Sequence, residues 1–145
     1  MDLWSNLYIF VSMKRILIAA VIAIVALSSC TPKADKAAAV ANDFLESFFN
    51  MDYAKASAFC TEDIAAVLRD TIATADYPSE EIRAKVVEAS KKTSFKIVSS
   101  EVEEETGAVV ISYEIRPYGT VGDAAIPRTM RLEKLDGDWK IVALE

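Results

Sequence analysis

The chain has 145 residues and a net charge of −6 at pH 7, with no histidine, two cysteines and four glycines. This acidic balance argues against a nucleic-acid partner and against electrostatic attraction to anionic lipid. The length suffices for one domain with a modest core. The lack of histidine removes the side chain that most often works as a general acid or base near neutral pH.

A charged start and a short apolar run mark the N-terminal segment. Lys14 and Arg15 follow Met13, and residues 16–27 carry no charge. As a helix this run of 12 residues would extend roughly 18 Å, short of the ~30 Å hydrocarbon core of a membrane. The pattern predicts a signal peptide over residues 1–29 and not a membrane span. We expect translation to start at Met13, and the alternative is a start at Met1.

The end of this segment, LSSC at residues 27–30, resembles the lipobox of bacterial lipoproteins. The resemblance implies that Cys30 receives a diacylglycerol and becomes the mature N-terminus after cleavage behind Ser29. The alternative is an N-terminal helix with a buried cysteine. Several acyl chains on Cys30 would anchor the protein stably in the membrane of the cell envelope, where one chain binds marginally. Because Thr31 is not the aspartate associated with inner-membrane retention, we expect the outer membrane, with the domain facing the periplasm or the cell exterior.

After Cys30 the sequence predicts a short tether over residues 30–36 and one domain over residues 37–145. Without residues 1–29 the net charge becomes −7. Cys60 then has no disulfide partner in the chain, and we expect it to be a small buried hydrophobe without reactivity.

Helical periodicity begins near Asp35 and ends at residues 50–52. The apolar stripe of this first helix consists of Ala37, Val40, Ala41, Phe44, Leu45, Phe48 and Phe49. Its flanking and opposite positions are Lys36, Asn42, Asp43, Glu46 and Ser47. We expect the stripe to face the core. A helix on the membrane surface is the alternative, although its polar face would then be expected to be basic.

Three shorter helices are predicted next, with Asp52, Thr61 and Ser79 as their N-caps. Their predicted apolar positions are Tyr53, Ala56, Phe59 and Cys60 in the second helix, Ile64, Val67 and Leu68 in the third, and Ile82, Val86 and Ala89 in the fourth. Residues 73–78 read as a loop, and the fourth helix is predicted to end near Lys92.

At Ser94 the apolar period changes from about 3.6 to 2, which predicts strands. The apolar positions are Phe95, Ile97, Val98 and Val102 in the first strand, Val109, Ile111, Tyr113 and Ile115 in the second, Ile126, Met130 and Leu132 in the third, and Trp139, Ile141 and Ala143 in the last. An irregularity is expected near residues 99–100, and Asp136-Gly137 is a hairpin signal.

This order of elements predicts an α+β fold, with N-terminal helices packed on one face of a curved four-stranded antiparallel sheet. We expect Phe44, Phe48 and Trp139 to share its core.

Two stretches, FLESFFNMDYAKA at residues 44–56 and LEKLDGDWKIV at residues 132–142, resemble nuclear-transport-factor-2-like, cystatin-type domains, some of which occur in small bacterial lipoproteins of unassigned function. The resemblance implies a cone-shaped domain with a pocket between the helices and the concave face of the sheet. Candidate polar residues near such a pocket are Tyr53, Tyr77, Tyr113 and Arg128. The alternative, which the sequence favours, is that Tyr53 and Tyr113 are core aromatics with one hydrated edge and Arg128 is a solvated strand residue.

Enzymes that resemble this fold are isomerases and dehydratases with an acid or base carboxylate, which makes a small-molecule enzyme the alternative function. Glu114 could serve as a base, but it alternates with the apolar positions and so faces away from them. Without histidine or a close cysteine pair we expect no catalytic residue, no metal and no cofactor.

The sequence therefore favours a lipid-anchored, non-catalytic domain that binds a small molecule or docks on an envelope protein. An open pocket lined by polar groups would favour a small-molecule ligand, and a filled one would favour a protein partner. Edge strands and the loop at residues 118–123 are the places to look for such a partner.

The lipid anchor leads to the first prediction. Cys30→Ala removes the thiol that would carry the diacylglycerol, so the precursor should stay uncleaved and should not incorporate radioactive palmitate. Labelled cells followed by electrophoresis measure both effects. A Cys30→Ala protein that is still processed and still partitions into detergent would overturn the assignment, and Cys60→Ala is the matched control that should be processed normally.

Overall fold

The computed structural model describes residues 32–73, 75–119 and 124–145. In this part of the chain four helices precede a four-stranded antiparallel sheet, which confirms the predicted α+β class. The helices are α1 (Pro32–Phe49), α2 (Tyr53–Ala58), α3 (Glu62–Ala73) and α4 (Glu80–Lys92). The strands are β1 (Ser94–Val102), β2 (Val109–Arg116), β3 (Ile126–Leu135) and β4 (Asp138–Leu144), and they neighbour one another in chain order. The lipidation prediction at Cys30 and the predicted signal peptide lie outside the described residues.

Helix α1 begins at Pro32, earlier than the periodicity indicates, so the tether predicted over residues 30–36 is helical from Pro32 onward. Proline suits the first turn of a helix because its missing N–H would have no partner there. Ala34 is already buried. Ser47 is buried as well, although the sequence places it on the polar side, and its hydroxyl donates to the Asp43 carbonyl oxygen at 2.7 Å. A serine bonded back to its own helix can thus lie in the apolar stripe.

The predicted break after α1 is confirmed. Met51 adopts a φ of 61°, in the left-handed region, just after α1 ends at Phe49. The Asp52 N–H then donates to the Ser47 carbonyl oxygen at 2.9 Å, and the Asp52 carboxylate accepts from the Lys55 N–H at 3.1 Å as the cap of α2. The turn therefore joins the end of α1 directly to the cap of α2.

The sheet follows the predicted strands closely. A register shift between Ile97 and Ser99 is the expected irregularity of β1. Two predicted apolar positions are nevertheless exposed: Val98 at this irregularity and Ile126 at the start of β3. Asp136 and Gly137 form the predicted two-residue hairpin, with φ of 51° and 90°. Both central residues have positive φ, as the right-handed twist of a tight hairpin requires.

A backbone contact that the sequence does not predict joins the helices to the last strand. The Ile141 N–H donates to the Phe59 carbonyl oxygen at 2.9 Å, and the Thr61 N–H donates to the Ile141 carbonyl oxygen at 3.0 Å. Residues 59–61 thereby pair with β4 in a short parallel bridge centred on Cys60. This segment covers part of an edge that would otherwise have no partner.

One hydrophobic core lies between α1 and the sheet. Its most deeply buried large side chains are Leu45, Val109, Ile111, Met130, Leu132 and Ile141. Phe44 is 2% exposed within it, and Phe48 and Trp139 pack against it half-buried, so the predicted shared core is confirmed. The core extends from Phe48 to Phe49 through an aromatic contact, with 5.4 Å between the two ring centroids.

The apolar faces predicted for α3 and α4 are partly wrong. In α3 the buried positions are Ala65 and Leu68, whereas Val67 is 64% exposed. In α4 no residue is buried, and both Ile82 and Val86 are exposed. The third predicted position, Ala89, is half-buried, as are Val87 and Ser90, which the prediction did not include.

The core assignment leads to the second prediction. Phe44→Ala removes a nearly fully buried ring, which typically costs about 3–5 kcal/mol of a total free energy of unfolding of ~5–15 kcal/mol. Urea unfolding followed by circular dichroism should show a loss in that range. Glu46→Ala, on the exposed face of the same helix, should stay within about 0.5 kcal/mol of the parent. Equal stability of the two variants would mean that α1 does not belong to the core.

Candidate functional site

A cavity of about 500 Å³ opens between α2, α3, the loop that precedes α4, and α4 itself. We call it the helical cavity. Its lining residues are Met51, Tyr53, Thr71, Ala75, Tyr77, Ser79, Glu80, Arg83 and Val87. The volume lies within the range of small-molecule sites, roughly 300–1,000 Å³.

The inner wall of the helical cavity is positioned by the turn that joins α1 to α2. Because Asp52 caps α2, Tyr53 is the first residue of that helix. Its ring meets Phe48 edge to face at 5.4 Å between centroids, and Phe48 in turn contacts Phe44 at 5.9 Å. A series of aromatic ring contacts therefore connects this wall of the cavity to the core.

The two predicted tyrosines Tyr53 and Tyr77 lie together in the helical cavity, and both are half-buried. Burial raises the pKa of the Tyr53 hydroxyl, and the neighbouring Tyr77 raises it further. Tyr53 therefore stays protonated at neutral pH and can donate a hydrogen bond to a ligand.

The outer wall of the helical cavity is α4. Its N-cap is Ser79, as predicted, with the Ser79 hydroxyl accepting from the Ile82 N–H at 3.3 Å. The side chains of α4 that line the cavity are Glu80, Arg83 and Val87. Arg83 Nη1 lies 3.6 Å from Glu80 Oε2, with the two side chains 59% and 84% exposed. The rim therefore carries a loose ion pair.

The last turn of α4 connects it to the rest of the domain. The Ser90 hydroxyl donates to the Phe49 carbonyl oxygen at 2.9 Å. The Lys92 ammonium lies 4.8 Å from the centre of the Tyr118 ring. Thr93, the C-cap, accepts from the Tyr118 N–H at 3.2 Å. The N-terminal end of α4, by contrast, borders the helical cavity.

The other two predicted residues, Tyr113 and Arg128, lie opposite each other on β2 and β3. Burial raises the pKa of the Tyr113 hydroxyl, and the Arg128 guanidinium offsets part of that rise. Arg128 Nη1 donates to the carbonyl oxygen of its neighbour Pro127 at 2.9 Å. The pair lines a separate groove of about 340 Å³, which we call the sheet groove, with Val98 and Glu145 at its border.

The structure thus brings the four predicted residues together as two pairs and not as one site. The face of the sheet below α1 is occupied by the core side chains Phe44, Leu45 and Ile111. The helical cavity therefore lies among the helices, whereas the resemblance implied a pocket between the helices and the sheet.

Sequence reasoning missed Met51, Glu80 and Arg83 as lining residues of the helical cavity. Arg83, Val87 and Ser90 are spaced by four and three residues, so they form one face of α4. This spacing was the sequence signal that could have indicated which face of α4 borders the cavity. It was outweighed by the apolar pair Ile82 and Val86, four residues apart on a neighbouring face.

Two observations concern the alternative chemistries, a metal site and a carboxylate base at Glu114. In the part of the chain that the structure describes, no group of three or more acidic, cysteine or histidine residues could hold a metal ion. Glu114 lies on β2 with its carboxylate 4.0 Å from Arg116 Nη2, and it borders the sheet groove and not the helical cavity.

The chain was compared with protein-family models, with curated proteins and with solved structures, and none of them matches it. Among the described residues no helix combines the length and the apolar character that crossing a membrane requires.

Cys60 leads to the third prediction. It is 6% exposed, and burial raises the pKa of its thiol to about 11, with Lys140 opposing part of the rise. At pH 8 only about one such thiol in a thousand is ionised. In a Cys30→Ser chain, where Cys60 is the only thiol, Ellman's reagent should therefore fail to react until guanidinium unfolds the protein. Fast reaction under native conditions, measured by absorbance, would contradict a buried inert thiol.

Proposed function

We propose that this chain is a lipid-anchored protein of the bacterial cell envelope whose domain binds a small molecule without transforming it. The observation that carries the binding function is the helical cavity, with its two tyrosine hydroxyls and one arginine. By the criterion drawn from the sequence, an open pocket with polar lining groups supports a ligand over a protein partner. Its volume, about 500 Å³, also suits a small molecule.

The anchor in this proposal is the lipid on Cys30. Its support is the sequence pattern at residues 13–30. One residue, Thr31, separates Cys30 from the described start of α1 at Pro32. The spacer between lipid and domain would therefore be short, and no long flexible linker would carry the ligand site away from its attachment point.

A role without catalysis is supported by the chemistry of the cavity wall. The carboxylate in the cavity wall belongs to Glu80, and the Glu80 side chain is 84% exposed at the rim. General acid and base catalysis favours a group whose pKa burial and neighbouring charges adjust toward neutral pH. A solvated carboxylate beside Arg83 lacks that environment.

Membership of the nuclear-transport-factor-2-like domains is part of the same proposal. Its support is the order of elements, with helices followed by an antiparallel meander, and the two stretches at residues 44–56 and 132–142. The helical cavity is the feature in which this domain departs from the pocket that the resemblance implies.

The ligand-binding function leads to the fourth prediction. Native mass spectrometry of the full chain, released from detergent, should show an adduct of discrete small-molecule mass. Ala75→Trp places an indole at an exposed position in the cavity lining and should abolish the adduct. Ala66→Trp, at an exposed position of α3 outside this lining, should keep it. An adduct that survives Ala75→Trp, or the absence of any adduct together with no thermal shift from envelope extracts, would contradict the proposal.

A further inference from the structure

The helical cavity has an apolar, aromatic interior and a charged rim. Met51, Tyr53, Tyr77 and Val87 are half-buried, whereas Glu80 and Arg83 are exposed. Flat ring systems suit such an interior, because tyrosine faces and a methionine side chain make favourable contacts with rings. The polar groups of a bound ring compound would then point toward the rim.

Three side chains at the cavity can donate hydrogen bonds to a ligand: Tyr53, Tyr77 and Arg83. The Thr71 hydroxyl already donates to the Val67 carbonyl oxygen at 2.8 Å, and the Ser79 hydroxyl accepts from the backbone of α4. Tyr53 and Tyr77 contribute phenolic hydroxyls, and Arg83 contributes a guanidinium with five N–H groups. At 3.6 Å its ion pair with Glu80 is longer than a hydrogen bond, so Glu80 does not engage those donors closely.

We propose that the helical cavity binds an organic anion: a planar ring compound whose ring packs between Tyr53 and Val87 and whose carboxylate is held by Arg83. This inference rests on the proposed ligand-binding function and specifies its ligand class. The fork of the guanidinium matches the two oxygens of a carboxylate. A phenolic hydroxyl of Tyr53 or Tyr77 supplies a further donor to the same ligand.

An organic cation is the opposite possibility, with Glu80 as its partner. The net charge of −6 would attract a cation at long range, but salt screens exposed charges beyond about 8 Å. At close range Arg83 competes directly with the cation for Glu80. A ligand carboxylate meets no such obstacle, because the Glu80 side chain is 84% exposed and can turn into water.

The test uses three naphthalene probes of nearly equal size: 2-naphthoate, 2-naphthamide and 2-naphthylmethylammonium. Each is titrated calorimetrically into the full chain in non-ionic detergent, with the detergent-only heats subtracted. Arg83→Gln removes the positive charge of the guanidinium at the cavity rim. Arg116→Gln is the matched control, because Arg116 has the same 59% side-chain exposure and a glutamate partner at 4.0 Å but does not line the cavity.

We expect 2-naphthoate to bind at least about tenfold more tightly than the ammonium probe. Arg83→Gln should weaken naphthoate binding about five- to tenfold and leave the amide within twofold, and Arg116→Gln should change neither. Equal or tighter binding of the ammonium probe, or equal effects of the two glutamine variants, would overturn the anion assignment.

The outcomes also separate this inference from the function on which it rests. If Ala75→Trp abolishes binding of the amide or the ammonium probe while naphthoate shows no preference, the cavity binds small molecules and the anion class is wrong. If no probe binds and native mass spectrometry shows no adduct, the ligand-binding function itself is wrong, and the anion assignment fails with it.

Discussion

Two backbone hydrogen bonds between residues 59–61 and Ile141 hold the arrangement of this domain together. Ile141 is fully buried, and it both donates to Phe59 and accepts from Thr61. Buried backbone groups without partners are costly, so this pairing specifies where the segment between α2 and α3 must lie. With α1 packed on the sheet and joined to α2 by the turn at residues 50–52, both ends of α2 are fixed. Tyr53 at one end thereby acquires its position in the helical cavity.

The other wall of the cavity, α4, is attached to the domain by fewer contacts. Ion pairs of α4 join two residues of that same helix; they are Arg83–Glu80, Lys85–Glu81 and Lys92–Glu88. Such pairs stabilise the helix itself and do little to attach it to a neighbour. Its connections through Ser90 and Thr93 lie at its C-terminal end. An element with few buried contacts sits at the low end of local stability. The cavity thus lies between a wall that aromatic contacts join to the core and a wall, α4, that these hydrogen bonds attach near its C-terminal end.

The parts of the fold that follow from short-range chemistry could be predicted from the sequence. Asp52 and Ser79 cap helices, Asp136-Gly137 forms a tight hairpin, and the alternation in β2 places Ile111 inward, because each depends on a few neighbouring residues. The orientation of α4 could not be predicted in this way. Its apolar residues predict a buried face only if another element is present to cover Ile82 and Val86, and within the described residues that face is exposed.

The candidate site shows the same division between local and long-range causes. Tyr113 and Arg128 are neighbours because the register of β2 and β3 pairs them, and that register follows from the strand pattern. Tyr53 and Tyr77 are separated by the whole of α3, and their approach depends on how three helices pack. A pocket inferred from a resemblance placed all four residues in one site, but core side chains fill the space between α1 and the sheet. The volume left open is instead the gap beside a helix that buries none of its residues. In this domain the incomplete packing of α4 is therefore the direct physical origin of the cavity.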